Sequence, residues 1–200
     1  MDFEKLYDFV MKFSKNKKIE PVIMFTGKRD LPDKEKENLN KVGKFLSDNF
    51  PEAIFRAGNQ TGADKEFVKD IPPERLQIFP PYSGHRKGNI PEGAEVYPLD
   101  KIFIPAAAET FFKRKEPGLY KAYKSGKGRE FEKSRYLLRN LAMIYGFKKD
   151  GITHPQASLT IYWDDMHNSK SGGTGFTVEA CKNKGVSPLS QKIWLKWIKQ

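Results

Sequence analysis

The chain has 200 residues, 38% apolar and 13% aromatic, enough for one domain with a core of its own. Its net charge of +11 favours polyanionic partners (nucleotides, nucleic acid or an anionic surface), with general solubility as the plainer explanation. No apolar run reaches the ~18 residues of a membrane span, and the single cysteine, Cys181, excludes an intramolecular disulfide and most zinc sites.

The opening Met1-Asp2-Phe3-Glu4-Lys5 reads as acidic and amphipathic rather than as a signal peptide, so a cytosolic (cytoplasmic) protein is expected. Phe3, Leu6, Val10 and Phe13 fall on one face of a predicted helix over 2–13. Residues 19–26 form an apolar run of strand length ending at Gly27. Asp33 reads as the N-cap of a helix that buries Leu39, Val42, Phe45 and Leu46 and runs to about Asn49. A second strand, 53–57, ends at Gly58. A short helix with Ala63, Phe67 and Val68 follows, then a third strand, 76–79. Strand, glycine turn, helix, strand is the rhythm of a parallel α/β sheet. Residues 80–132, rich in proline, glycine, lysine and aromatics, break it and read as an insertion with little regular sheet. Helix resumes at about 133–147. A buried strand is predicted at 157–163, a helix from Val178 to Lys184 and a last strand at 186–189. Ile193, Trp194, Trp197 and Ile198 make a docked tail, with a homo-oligomer contact left open. The expected fold is α/β: one Rossmann-like domain over 1–200, a central, mainly parallel sheet flanked by helices, and an inserted basic lobe at about 80–132.

Three glycine turns fall at strand ends, where such sheets bind ligands. The first is Thr26-Gly27-Lys28-Arg29: a phosphate or ribose contact, or an ordinary basic loop. In the second, Gly58-Asn59-Gln60-Thr61-Gly62-Ala63-Asp64, Thr61 can cap the next helix, and Asp64 can serve the helix dipole or accept from a ribose or base. The third is Ser171-Gly172-Gly173-Thr174-Gly175, ahead of a helix carrying Glu179, where backbone N–H groups and a helix N-terminus suit a phosphate. It is neither a Walker loop nor a G-x-G-x-x-G fingerprint. Arg139, beside Asn140 in a Leu-rich helix, is either aimed at a phosphate or faces solvent.

Taken in order, Thr26-Gly27-Lys28-Arg29, Gly58-Asn59-x-x-Gly62-Ala63-Asp64, Arg139-Asn140-x-x-Met143 and Ser171-Gly172-Gly173-Thr174 resemble the SLOG superfamily. That superfamily holds the LOG phosphoribohydrolases, the DNA-processing protein DprA/Smf and the YpsA-like proteins. The YpsA-like branch looks most similar, with a T/G-G-S-R turn, a S-G-x-A-x-G-A-D turn, an R-N-x-x-M helix and a S-G-G-T turn. The resemblance covers about 19–80 and 133–190. It implies a pocket for a nucleotide-type small molecule, lined by those residues together with Gly175. The LOG pattern P-G-G-x-G-T-x-x-E further implies that Glu179 and Arg139 would be catalytic in cleaving the N-glycosidic bond of a nucleoside monophosphate. Ser171 and Phe176 depart from that pattern.

Residues 111–135 carry nine cations against three acids, a net of +6, interleaved with Phe111, Phe112, Tyr120, Tyr123 and Phe131 and followed by Tyr136. Cations that track phosphates beside aromatics that stack on bases suit single-stranded nucleic acid. A solvated face with its aromatics turned inward reads equally well, and the DprA-type resemblance favours binding. His85, His154 and His167 have no ligand spacing. Asp164-Asp165 more often ends a strand than holds a metal. No metal, cofactor or membrane partner is expected.

Overall fold

The computed structural model describes residues 2–165 and 172–199. Ser171, part of the third expected turn, lies outside the described residues, as does His167.

Helix α1 (Phe3–Lys17) starts where the Asp2 side chain accepts the Lys5 N–H at 2.9 Å. Its Leu6 and Val10 are fully buried. The Ile19 N–H then goes to the Ser14 carbonyl, so strand β1 (Val22–Gly27) opens three residues later than the apolar run begins. Helix α2 (Asp33–Asn49) is preceded by Pro32 in the cap position. Asp33 is therefore not the cap. Its carboxylate pairs with Lys36 at 2.6 Å, in the first turn, where negative charge complements the dipole. Strand β2 (Ile54–Gly58), helix α3 (Ala63–Val68) and strand β3 (Leu76–Phe79) follow. Gly62, not Thr61, stands at the α3 cap, with φ +77.

Residues 80–132 hold a two-residue strand, β4 (Glu95–Val96), then α4 (Ala106–Lys115), α5 (Pro117–Ser125) and the start of α6 (Arg129–Tyr145). Helix α6 begins earlier than the Leu-rich periodicity suggests, because Glu130 and Glu132 occupy its first turn. A hairpin that the sequence reading passed over comes next, β5 (Phe147–Lys149) and β6 (Ile152–His154). Its turn residues, Asp150 at φ +50 and Gly151 at φ +84, are the Asp-Gly pair that a tight two-residue turn demands. Strand β7 (Leu159–Trp163), helix α7 (Gly172–Lys184), strand β8 (Ser187–Ser190) and the short α8 (Gln191–Trp194) complete the chain.

The sheet has the order β4-β3-β2-β1-β7-β8, and every pair in it is parallel. Strands β1, β2, β3 and β7 are buried on both faces, so they read as apolar runs rather than as alternation. In β1, Ile23 and Phe25 enter one core with α1, α2 and α3, while Val22 and Met24 enter a second core with α4, α6 and α7. Phe111, Phe112 and Leu119, from within 80–132, belong to this second core. Trp194 and Trp197 are buried in the first. Arg56 is fully buried inside β2, where its guanidinium donates to Gln77 Oε1 (2.9 Å) and to the carbonyls of Met143 (3.1 Å) and Pro155 (2.7 Å). Burial pulls its pKa down to about 9.

From β1 the chain steps outward one way through β2, β3 and β4. It returns to lay β7 on the other side of β1 and continues to β8. The direction reverses between β1 and β7, and at such a switch point the connecting segments part and leave a crevice beyond the carboxyl ends of the strands.

Candidate ligand site at the switch point

A cavity of about 360 Å³ opens at that crevice. Thr26, Gly27, Lys28, Arg29 and Asp30 border it from the end of β1, and Gln60 and Asp64 from the segment after β2. Tyr136, Leu137, Arg139 and Asn140 come from α6, and Gly172, Gly173 and Thr174 from the start of α7.

The first two turns are built on each other. The Ala63 N–H donates to the Lys28 carbonyl at 3.2 Å. A Cβ on Gly27 would lie 2.5 Å from the Ala63 Cβ, and one on Gly62 would lie 2.2 Å from the Arg29 carbonyl oxygen. Gly27, Gly62 and Ala63 are thus small because two backbones meet there; of the three, only Gly27 borders the cavity. Gly58 is small for another reason: its Cβ would fall 1.4 Å from Nη1 of Arg139. Asn59 also turns away from the cavity. Its amide donates to the carbonyls of His85 (2.6 Å) and Arg86 (3.2 Å), fastening the loop after β3.

Arg139 is 4% exposed and faces no solvent. It donates to the Phe79 carbonyl (3.0 Å) and to Asp64 Oδ2 (3.3 Å), and its buried Nε has no partner among the described residues. Burial lowers the pKa of Arg139 and raises that of Asp64, each drawn back by the other's charge. Lys28 is also engaged, 2.6 Å from Asp165 and 3.2 Å from Asp164, whose hydrogen bonds and charges raise its pKa. The two carboxylates thus meet a lysine, and among the described residues no group of three or more metal-ligating side chains stands together. Arg29 lies 5.2 Å over the Tyr136 ring and has no ion-pair partner among the described residues.

Asn140 donates through Nδ2 to Thr177 Oγ1 at 2.8 Å, and that hydroxyl gives its own proton to the Gly173 carbonyl at 2.7 Å. With its only hydrogen committed, Thr177 Oγ1 can only accept from Asn140. This fixes the amide orientation and leaves the buried Asn140 Oδ1 with no partner among the described residues. The helix α7 begins at Gly172, so the glycines predicted as a loop form its first turn. First-turn N–H groups lack intrahelical acceptors. Beyond its chain neighbours and its own helix backbone, no atom of the described residues lies within 4 Å of where a Gly172 Cβ would stand.

Gln60 and Leu137 border the cavity without having been expected there, and Tyr136, expected among the base-stacking aromatics, lines it as well. Gln60 is 6% exposed, and neither amide atom has a partner among the described residues. Its position between the paired glycines was the only signal available. His85, close by, meets the Tyr136 hydroxyl at 3.2 Å. Burial and the surrounding Arg86, Arg139, Arg29 and Arg135 hold its pKa down at about 4.

Glu179 does not share this cavity with Arg139. It is half exposed, ion-paired with Lys115, and borders a separate cleft of about 390 Å³ with Gly175, Phe176 and Lys182. Gly172 touches both spaces. In 111–135, Phe111 and Phe112 are buried, Tyr120 donates to Glu109, and Tyr123 stacks on Phe131. The aromatics turn inward, while Lys113, Arg114, Lys115, Lys121, Lys124, Lys127, Arg129 and Lys133 are exposed. No described helix is long and apolar enough to cross a membrane.

No family model matches the chain, and no curated protein matches it by sequence. Among solved structures, DNA processing protein A from Helicobacter pylori, described for its single-stranded DNA binding mode, is similar in fold. It gives a TM-score of 0.52 at 12% identity, over 90% of this chain and 79% of that one. DNA processing protein A (DprA) from Streptococcus pneumoniae gives 0.48 at 12%, over 92% of this chain and 51% of that one, so the chain spans about half its length. At such identity the likeness is one of fold: a parallel, Rossmann-like α/β sheet flanked by helices.

Proposed function

We propose that this protein binds a nucleotide unit at the switch-point cavity, with its phosphate near Arg29 and the first turn of α7. One juxtaposition carries the reading. Arg29 and the first turn of α7 border the same cavity as Asn140, whose buried Oδ1 has no partner among the described residues. An anion without a hydrogen-bond donor satisfies the first two and repels the third. A sugar phosphate brings acceptors for the donors and hydroxyl donors for the acceptor. The volume lies within the range of small-ligand sites. The ordered motifs of the SLOG pattern support the same reading, since Arg139, Asn140 and the Gly172 turn converge on this cavity. A hydrolytic role has less support: Asp64, the carboxylate nearest Arg139, is tied to it, and Glu179 borders the other cleft.

A second reading makes the nucleotide one unit of a single-stranded nucleic acid. It is favoured by the exposed cations of α4–α6, by Gly172 joining the cavity to the cleft of Lys115 and Lys182, and by the DNA binding of the H. pylori protein. The inward aromatics leave this reading electrostatic rather than based on stacking. Calorimetry of nucleoside 5′-monophosphates against the corresponding nucleosides tests the site. The phosphate should contribute about tenfold or more in affinity, and Arg29→Ala should abolish that advantage. Nucleosides binding as tightly as their monophosphates would refute it. A short oligonucleotide that binds far more tightly than any monophosphate, with steep salt dependence, would select the second reading.

A further inference from the structure

Gln60 carries an inference that deepens the nucleotide reading and rests on it. A buried amide with neither end paired is uncommon in a folded chain. Here both Oε1 and Nε2 lack partners among the described residues, in a side chain 6% exposed. Asn59, beside it, spends its own amide on the loop carbonyls, so the local backbone does not require a second amide. Gln60 and Asp64 also form the wall between the main cavity and a smaller one of about 120 Å³. Val68, Ile78 and Pro91 contribute apolar lining to that smaller space. Gln60 stands at the edge of this largely apolar slot with an amide that no described residue satisfies, and such a slot is complementary to a planar heterocycle with a polar rim.

We infer that Gln60 is a specificity-determining residue that pairs in two-point fashion with the edge of a nucleobase whose phosphate is held at the other end of the cavity. A glutamine amide matches a base edge that presents a donor and an acceptor side by side. Because the amide makes no bond to any described residue, its loss should cost the fold nothing.

The test is calorimetry of wild type, Gln60→Met and Gln60→Glu with the four nucleoside 5′-monophosphates, ribose 5-phosphate and a short single-stranded oligonucleotide, with a melting curve for each variant. At least one monophosphate should bind wild type about ten- to a hundredfold more tightly than ribose 5-phosphate. Gln60→Met should erase that gap while leaving Tm unchanged or raised. Gln60→Glu, which can only accept, should shift preference toward bases bearing an amino group. A gap seen only within the oligonucleotide, and lost in Gln60→Met, would also support the inference, with the base supplied by a strand. Equal binding of ribose 5-phosphate and every nucleotide by wild type, or a gap that survives Gln60→Met, would overturn it while leaving the phosphate site standing. Failure of all these ligands to bind would remove the site and this inference together.

Discussion

The guanidinium of Arg139 occupies the space that a side chain at position 58 would need: a Cβ on Gly58 would stand 1.4 Å from its Nη1. The last residue of β2 is therefore glycine so that an arginine from α6, far away in sequence, can reach Phe79 and Asp64. Gly58→Ala should displace the guanidinium, leave Asp64 buried without its partner and destabilise the fold by about 2–4 kcal/mol. In an Arg139→Ala background the clash is gone, so adding Gly58→Ala should cost about 1 kcal/mol or less. A double-mutant cycle by denaturant unfolding reads the difference. Additive costs would show that the two positions are independent.

Glu179 offers the reverse test. Its contact with Lys115 is a surface ion pair, a class worth about 0–1 kcal/mol. Glu179→Gln should leave nucleotide affinity within about twofold and Tm nearly unchanged. A large loss of affinity, or of any base-releasing activity found for the protein, would return Glu179 to the site.

The pH dependence of stability should carry the mark of His85. Its folded pKa, about 4, lies below the ordinary value near 6.5, so the unfolded chain takes up the proton first as pH falls. The stability due to neutral His85 is complete above about pH 6.5 and is lost progressively toward pH 4, on the order of 2 kcal/mol in all. His154, lowered chiefly by burial and also by Arg56, acts in the same direction. His85→Gln should flatten Tm against pH across that window, and an unchanged slope would contradict the assignment.

Much of this fold was legible because its main signals are local. Apolar runs of strand length, punctuated by glycine and separated by helical periodicity, placed β1, β2, β3, β7 and β8 within a few residues. The hairpin at Asp150-Gly151 was equally local and was passed over. Element edges moved at local contacts: the Ser14 carbonyl accepts from Ile19 ahead of the strand, and Pro32 takes the cap position before Asp33. The site was harder to read. Spacing gathered Thr26 to Arg29, Asp64, Arg139, Asn140 and Gly172 to Thr174 on one cavity, but it could not separate a glycine facing that cavity from one buried under an arginine. Gly58 and Gly62 answer to packing, Asn59 to a loop, and Glu179 to the helix face two turns away from the cavity edge. Gln60 was invisible because its significance is the absence of partners, which only the folded chain defines.

Ligand-induced amide shifts in isotope-labelled protein test the central claim most directly. Titration with a nucleoside 5′-monophosphate, and with a short single-stranded oligonucleotide, should perturb Gly27, Arg29, Gly173, Thr174 and the Asn140 side-chain amide first and most, and Arg29→Ala should abolish the response. Shifts confined to the exposed face of α4 and α5, or none at saturating ligand, would contradict a nucleotide site at the β1–β7 switch point.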